Sequence, residues 1–350
     1  MRFLFILILL LSVKILPAQL KCHMPLTTPR LVDPSINAPL RQMNTPLIVK
    51  TFIHVTDSDW GSDPYYLPKE HDVLEAFNFA REALAPYGIC LILAGMDTIM
   101  DSDLHFMDVE SQSDVNLLKS HIRLGYLNIF IHEEIYDYAG YAYAIPNNFI
   151  SIRRGYAWGG SLSVLIHEIG HALGLYHTFE DVFGKEWVAR SGSCSNATTA
   201  GDLLTDTEAD LEDVHYSTIS GCDYIGTAVD SCNNPYQMEI ENIMSYHMQI
   251  GCHVFTPQQG ERMRYFLQTD PKLIQMTNMM DNYVINQNGT YSSGKSVGVA
   301  KNSYSFMAPS IIVNGSARWN VAAKEVTIGP GTTMSPGPEG FVVIRTYPCQ

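Results

Sequence analysis

The chain has 350 residues, 46% of them hydrophobic and 17% charged, enough to bury one large core or two smaller ones and unlike a disordered chain. Its 22 basic and 36 acidic residues give a formal net charge of −14. That argues against a nucleic-acid binder, which needs clustered Lys and Arg for phosphate, and suits oxygen-rich calcium sites. Collagen-like, coiled-coil and polytopic membrane classes are excluded as well.

Arg2 precedes an apolar run over 3–13, and Ala18 supplies a small residue after it. This is the pattern of a secretory signal over 1–18, too short to span a bilayer. No later segment reads as a membrane span, so the expected location is extracellular. Residues 19–45 hold many Pro and Thr with little apolar periodicity and read as a propeptide or linker. The run 47–55 reads as a strand. Over 70–87, Val73, Leu74, Phe77, Ala80 and Leu84 recur at helical spacing, and Gly88 ends the helix. Strands are expected over 89–94, 126–132, 141–145 and 149–153, and a helix over 162–173 stopped at Gly174. This alternation predicts an α+β domain with a mixed sheet and packed helices.

From 178 to 256 the chain reads mostly as loop, apart from a short segment at 240–246. Thr256 as cap and Pro257 at the first position then open a helix to about 267. After about 285, Asn, Gly, Ser and Val dominate, and short strands alternate with turns such as Asn314-Gly315. A small β module over 285–350, with nothing catalytic in it, is expected. Asn288 and Asn314 open formal glycosylation sequons, which matter only in a host that glycosylates.

An exported protein makes its seven cysteines informative. An odd count leaves at least one without an internal partner. Cys194, Cys222, Cys232 and Cys252 share the loop-rich stretch, and four cysteines admit three pairings. Cys90, inside an apolar strand, reads as a buried free thiol.

The string His167-Glu168-Ile-Gly-His171-Ala-Leu-Gly174-Leu-Tyr-His177 carries the chemistry. Positions i and i+4 share a helix face, so His167 and His171 can aim at one ion. Gly174 tolerates the left-handed turn that brings His177 back as a third ligand. Three neutral imidazoles with a fourth position left to water are the pattern of catalytic zinc. Glu168, beside them, is placed as general base, first taking a proton from that water and then returning it to the leaving amine. Peptide hydrolysis is the natural reaction, with a protein or peptide as substrate.

The zinc string resembles that of the metzincin metalloproteases, and Asn242-Ile-Met244-Ser-Tyr246 is similar to their Met-turn. With Cys194, the segment Gly201-Asp202-Leu-Leu-Thr-Asp206-Thr207, Cys252 and the run from Phe255 to Arg262 and Met263, the order resembles the pappalysin (cytophagalysin or ulilysin-like) branch. The likeness is sharp over 160–265 and faint over 45–155. It implies a metzincin-like catalytic domain over 46–272: a mixed twisted sheet, an active-site helix above it and a loop-rich lower subdomain with the Met-turn. It further implies Met244 beneath the zinc, Tyr246 stabilising the transition state, and an edge strand over 140–145 that takes substrate backbone as an added strand. The pairings Cys194–Cys232 and Cys222–Cys252, and a structural calcium near Asp202, Asp206 and Thr207, follow from the same likeness, and a monomer is expected.

Two features refine this expectation. Some pappalysins carry an acidic residue shortly after the Met-turn tyrosine and prefer basic side chains. Here the stretch from Tyr246 through Met248 and Gln249 to Cys252 has no Asp or Glu, so a neutral pocket is expected. Cys22 lies in the expected propeptide, where a thiolate can silence zinc in a latent zymogen. Its alternatives are a disulfide to Cys349, an inert thiol, or a lipid anchor, which Lys21 disfavours. His54, His71, His132 and His253 lack metal spacing, and Trp60 and Trp158 read as packing. The rival function is a secreted binding protein with a structural or inactive zinc site and a ligand-binding tail; hydrolysis of a non-peptide amide is a third.

Overall fold

The computed structural model describes residues 21–23, 46–60, 70–157, 162–247, 254–293, 295–338 and 340–346. The expected signal sequence, Trp158, Met248, Gln249, Cys252, His253 and Cys349 lie outside them, as do the side chains of Cys22 and His71. The N-terminal half runs β1 (Lys21–His23), β2 (Leu47–Asp57), α1 (Glu70–Leu84), β3 (Ile89–Met100), α2 (Ser102–His105), β4 (Phe106–Met107), α3 (Gln112–Ser120), β5 (Leu127–His132), β6 (Glu134–Ile135), β7 (Tyr138–Ala142), β8 (Phe149–Arg153) and α4 (Ser163–Ala172).

Six of these strands form one mixed sheet in the order β1-β7-β8-β5-β2-β3. Only β7 and β8 pair antiparallel; the other neighbours are parallel. Alternation at period two sends Val49, Ile53, Ile129, Ile131, Ile150 and Ile152 to one face, where they meet Val73, Phe77 and Leu84 of α1 and Leu165 and Ile169 of α4. Full burial of such a side chain stabilises by about 1.5–3 kcal/mol, so this layer fixes α4 over the sheet. Phe130 and Phe149 point to the other face and pack with Leu104, Met107 and Leu118 from α2, β4 and α3. A sheet covered on both faces accounts for its near-continuous apolar strands.

Among the described residues, His54 and His132 are buried and tied into the sheet by hydrogen bonds. His54 bonds Asp97 at 2.7 Å and Asn128 at 3.1 Å. His132 bridges the Leu104 carbonyl and Ser151 Oγ at 2.5 and 2.8 Å, and burial pushes its pKa down to about 4.

Beyond α4 the chain is mostly loop, with β9 (Ile219–Ser220) and β10 (Asp223–Tyr224) as a small pair. α5 (Pro257–Thr269) and α6 (Pro271–Thr277) follow. Thr256 and Gln259 close a reciprocal capping box at the start of α5, with Pro257 in the first turn, as those residue types require.

The C-terminal strands are β11 (Met280–Ile285), β12 (Gly289–Tyr291), β13 (Lys295–Phe306), β14 (Ile311–Gly315), β15 (Arg318–Ala323), β16 (Glu325–Ile328), β17 (Thr332–Pro336) and β18 (Phe341–Thr346). Their pairings are all parallel. Val297 lies beside Asn320 and Asn320 beside Val343, while Gly289 lies beside Ile311 and Ile311 beside Thr332. A parallel offset of about one short repeat per strand means the chain coils, each turn stacking on the last. Tyr304, Phe306, Ile311, Val313, Trp319 and Val321 fill the inside of the coil. The coil meets the six-stranded sheet where Val299 and Ala322 pack against Ile48, Ile92 and Cys90.

Three expectations are corrected. Cys90 is disulfide-bonded rather than free; its position at this seam puts it within reach of other chain segments. The strand expected at 141–145 is β7 and ends at Ala142, because residues 143–148 turn the chain back into antiparallel β8. Trp60 is 90% exposed instead of packed.

Candidate active site

α4 is buried along almost its whole length, from Leu165 to Ala172. Leu165 and Ile169 face the sheet core, which leaves His167 and His171 on the opposite side, one turn apart. The helix stops because Gly174 takes φ +105°, a conformation costly to any residue with a Cβ. Leu175 N–H then donates to the Gly170 carbonyl at 2.9 Å, and the reversed chain carries His177 back to the helix.

The three rings converge. His171 Nε2 lies 3.1 Å from His167 Nε2 and 3.0 Å from His177 Nε2. His167 Nδ1 donates to the Ile243 carbonyl at 2.7 Å and His171 Nδ1 to the Leu175 carbonyl at 2.8 Å. Burial drives the pKa of His167 to about 4 and that of His171 well below its ordinary value. Both imidazoles are therefore neutral with their one proton on Nδ1, and two Nε2 lone pairs face each other with no hydrogen between them. A cation at that point satisfies them both, and the His177 Nε2 beside them, at once. Among the described residues these three form the one group of His, Cys, Asp or Glu with that geometry, and the residues fit a divalent metal with imidazole preference.

Glu168 is fully buried. β7 lies directly against it: a Cβ on Gly140 would stand 2.6 Å from Glu168 Oε1, so only glycine lets the strand approach. The Met-turn closes the other side. Met244 is fully buried, and a Cβ on Gly170 would stand 2.5 Å from its sulfur. Asn242 holds the turn, accepting from Met244 N–H at 3.0 Å while exchanging amide bonds with Gln259 of α5. The His167 bond to Ile243 ties this turn directly to the helix. The Tyr246 ring centroid lies 4.8 Å from that of His177 and 5.9 Å from that of His167. Phe179 stacks on His177 at 4.6 Å and touches Tyr246 at 4.5 Å. Phe179 was not singled out from sequence; its adjacency to the third histidine is the signal that would have found it.

Residues 157–268 match the family model described as Peptidase_M43, pregnancy-associated plasma protein-A. An extracellular metalloprotease of Podospora anserina is 31% identical over 238 residues, 62% of this chain and 72% of that one. The chain belongs to the M43 peptidase family. Namesakes from Pyricularia oryzae and Colletotrichum graminicola are 28% and 30% identical, covering 66% and 63% of the M43 chain and 78% and 76% of theirs. A solved structure of mirolysin in complex with compound 9 aligns with TM-score 0.49 at 17% identity, over 67% of this chain and 96% of that one. As an M43 member the protein is a metalloendopeptidase, acting on peptides with a bound metal. No helix among its described residues is long and apolar enough to cross a membrane.

In this M43 chain the acidic segment after the zinc string divides its roles. Asp202 Oδ1 accepts from Thr207 Oγ1 and Leu204 N, both at 2.9 Å. Asp206 turns away and caps α5, accepting from Thr256 Oγ1 and Gln258 N at 2.8 Å. Glu186, which sequence reading missed in a loop without periodicity, takes its place: a Cβ on Gly201 would stand 2.2 Å from Glu186 Oε2. Asp202 Oδ2 and Glu186 Oε2 are both buried without a hydrogen-bond partner. Burial, with Asp202 nearby, pushes the Glu186 pKa up to about 8, and burial lifts that of Asp202 to about 6. Arg262 holds this segment through the Asp202 and Leu203 carbonyls at 2.6 and 2.9 Å. Cys194 and Cys232 form a disulfide with Cα atoms 6.2 Å apart; Cys222 is also disulfide-bonded, and its expected partner Cys252 lies outside the described residues.

Proposed function

We propose that the protein is a secreted zinc endopeptidase made as a latent precursor, with the signal over 1–18, a propeptide over 19–45, the catalytic domain over 46–272 and an accessory β module over 285–350. The observation that carries this reading is the convergence of three Nε2 atoms, those of His167 and His177 lying 3.1 and 3.0 Å from that of His171, with two of the three rings neutral acceptors. His167, His171 and His177 would hold the zinc, which when bound supplies Lewis acidity and lowers the pKa of a water to about 7. Glu168 takes the proton of the attacking water and delivers it to the leaving amine, its burial keeping bulk water from competing. The Tyr246 hydroxyl donates to the oxygen of the carbonyl under attack. Casein turnover by the processed protein should be abolished by o-phenanthroline and restored by zinc; intact casein with zinc bound would overturn the assignment. In peptide-library profiling, a neutral pocket predicts no enrichment of Arg or Lys after the cut.

Latency is supported by the pairing of β1 along β7, Lys21 beside Tyr138 and His23 beside Tyr141. Residues 21–23 thus occupy the strand that otherwise takes substrate, the strand whose Gly140 touches Glu168. Cys22 is the candidate thiolate ligand. Cys22→Ser should leave the unprocessed chain at least tenfold more active than the parent, following the loss of one thiolate ligand; equal latency would reject the switch.

A structural calcium at Asp202, Thr207 and Glu186 is supported by the two orphaned carboxylate oxygens. Without calcium the folded chain keeps protons on Glu186 and Asp202 that the unfolded chain releases above its ordinary carboxylate pKa. Stability in EGTA should therefore fall as pH rises from about 4.5 to about 8. Calcium should flatten that slope; identical melting curves with and without it would exclude the site.

A further inference from the structure

Two segments that are far apart in sequence, one just after His177 and one in the Met-turn, meet, and one carboxylate joins them. Asp210 is buried. Its Oδ2 accepts from Thr178 Oγ1 at 2.6 Å, its Oδ1 from Leu211 N at 2.7 Å, and it also bonds the Ser245 side chain. His247 Nε2 lies 3.6 Å from Oδ1 and bonds the Leu211 carbonyl. Thr178 N–H donates to the Met244 carbonyl at 3.2 Å, closing the link through the backbone.

Thr178 follows His177, and Ser245 precedes Tyr246. Both segments are loop, with no helix or strand to hold them in register, and the His177 and Tyr246 rings depend on that register for their 4.8 Å contact. We infer that Asp210 is a positioning residue: through Thr178 and Ser245 it locks the third imidazole and the Met-turn tyrosine into one rigid unit against α4. This rests on the zinc-site reading above and adds to it a residue outside both the zinc string and the Met-turn. A carboxylate is suited to this because its two oxygens can accept from several donors at once. Groups that orient metal ligands in this way set affinity and geometry together.

The test uses the processed enzyme with Asp210→Ala, Asp210→Asn and Thr178→Val. Five quantities are measured: zinc affinity by competition with a chelator, kcat and KM on one peptide, the visible absorption of the Co2+-substituted protein, and melting of the metal-free protein. Asp210→Ala should weaken zinc binding about 10–100-fold, lower kcat with KM changed less than about threefold, and shift the Co2+ spectrum. Asp210→Asn should recover part of each loss. Thr178→Val should show a smaller loss that does not add to that of Asp210→Ala, since both remove the same bond. Zinc affinity and kcat within twofold of the parent, an unshifted Co2+ spectrum, strict additivity, or losses that merely track the melting of the metal-free protein would overturn the inference. If His171→Ala binds zinc as tightly as the parent, the zinc-site reading itself fails and takes this one with it; a His171→Ala variant that loses zinc while Asp210→Ala keeps it overturns the positioning role alone.

Discussion

Glu168→Gln is expected to lower kcat/KM on peptides by about 10²–10⁴-fold while zinc stays bound in full. The amide keeps the shape of the side chain in a site where Gly140 already leaves no spare room, so the fold has no reason to shift. It cannot accept and return a proton, so on the proposed mechanism the reaction should lose its base, while the bonds of His167 to Ile243 and of His171 to Leu175 leave the metal site in place. Turnover within tenfold of the parent, at equal zinc content by atomic absorption, would show that the proton goes elsewhere. Tyr141, with its pKa raised to about 12, and Tyr143, whose hydroxyl bonds Ser151 and is pushed higher still, are poor bases at neutral pH and offer no substitute.

Gly174→Ala is expected to carry the largest stability loss of any single methyl addition near the site. At φ +105° an L side chain is strained by about 1–3 kcal/mol. The added Cβ would also fall 2.0 Å from the Phe266 ring, which is buried against the core and cannot swing away; overpacking of this kind costs about 1–3 kcal/mol more. Against a total stability of about 5–15 kcal/mol, a combined loss of about 3–5 kcal/mol leaves a chain that folds poorly and positions His177 poorly. Gly192→Ala is the control. It shares a positive φ, +82°, but a Cβ there would meet nothing within 4 Å. Urea denaturation should show a clearly smaller loss for Gly192→Ala than for Gly174→Ala; equal midpoints would remove the role given to Phe266.

How much could be read beforehand follows from how far apart the interacting residues lie. The strand at Phe149–Arg153, the helix over Ser163–Ala172 and its stop at Gly174 were legible because period, cap and breaker are local properties. The capping box at Thr256 was half legible: Thr and Pro announce it, while the return bond from Gln259 emerges in three dimensions. The coil made by β11–β18 was read only as a run of short strands, since alternation specifies a strand but not whether its neighbour runs parallel. Cys90 was read as a thiol because an apolar strand says nothing of what packs beside it.

From its amino acids alone, then, this protein declares two histidines on one helix face, a glutamate next to them, a turn that returns a third histidine, and the family those residues resemble. Spacing along a helix is set by backbone geometry, so it needs no tertiary contact to be read. The partnership of Glu186 with Asp202, the diversion of Asp206 to cap α5, the seat of β1 on β7 and the grip of Asp210 on Thr178 and Ser245 were decided by the folded chain. Each joins segments across loops without periodicity, where only burial determines which polar atoms must find one another.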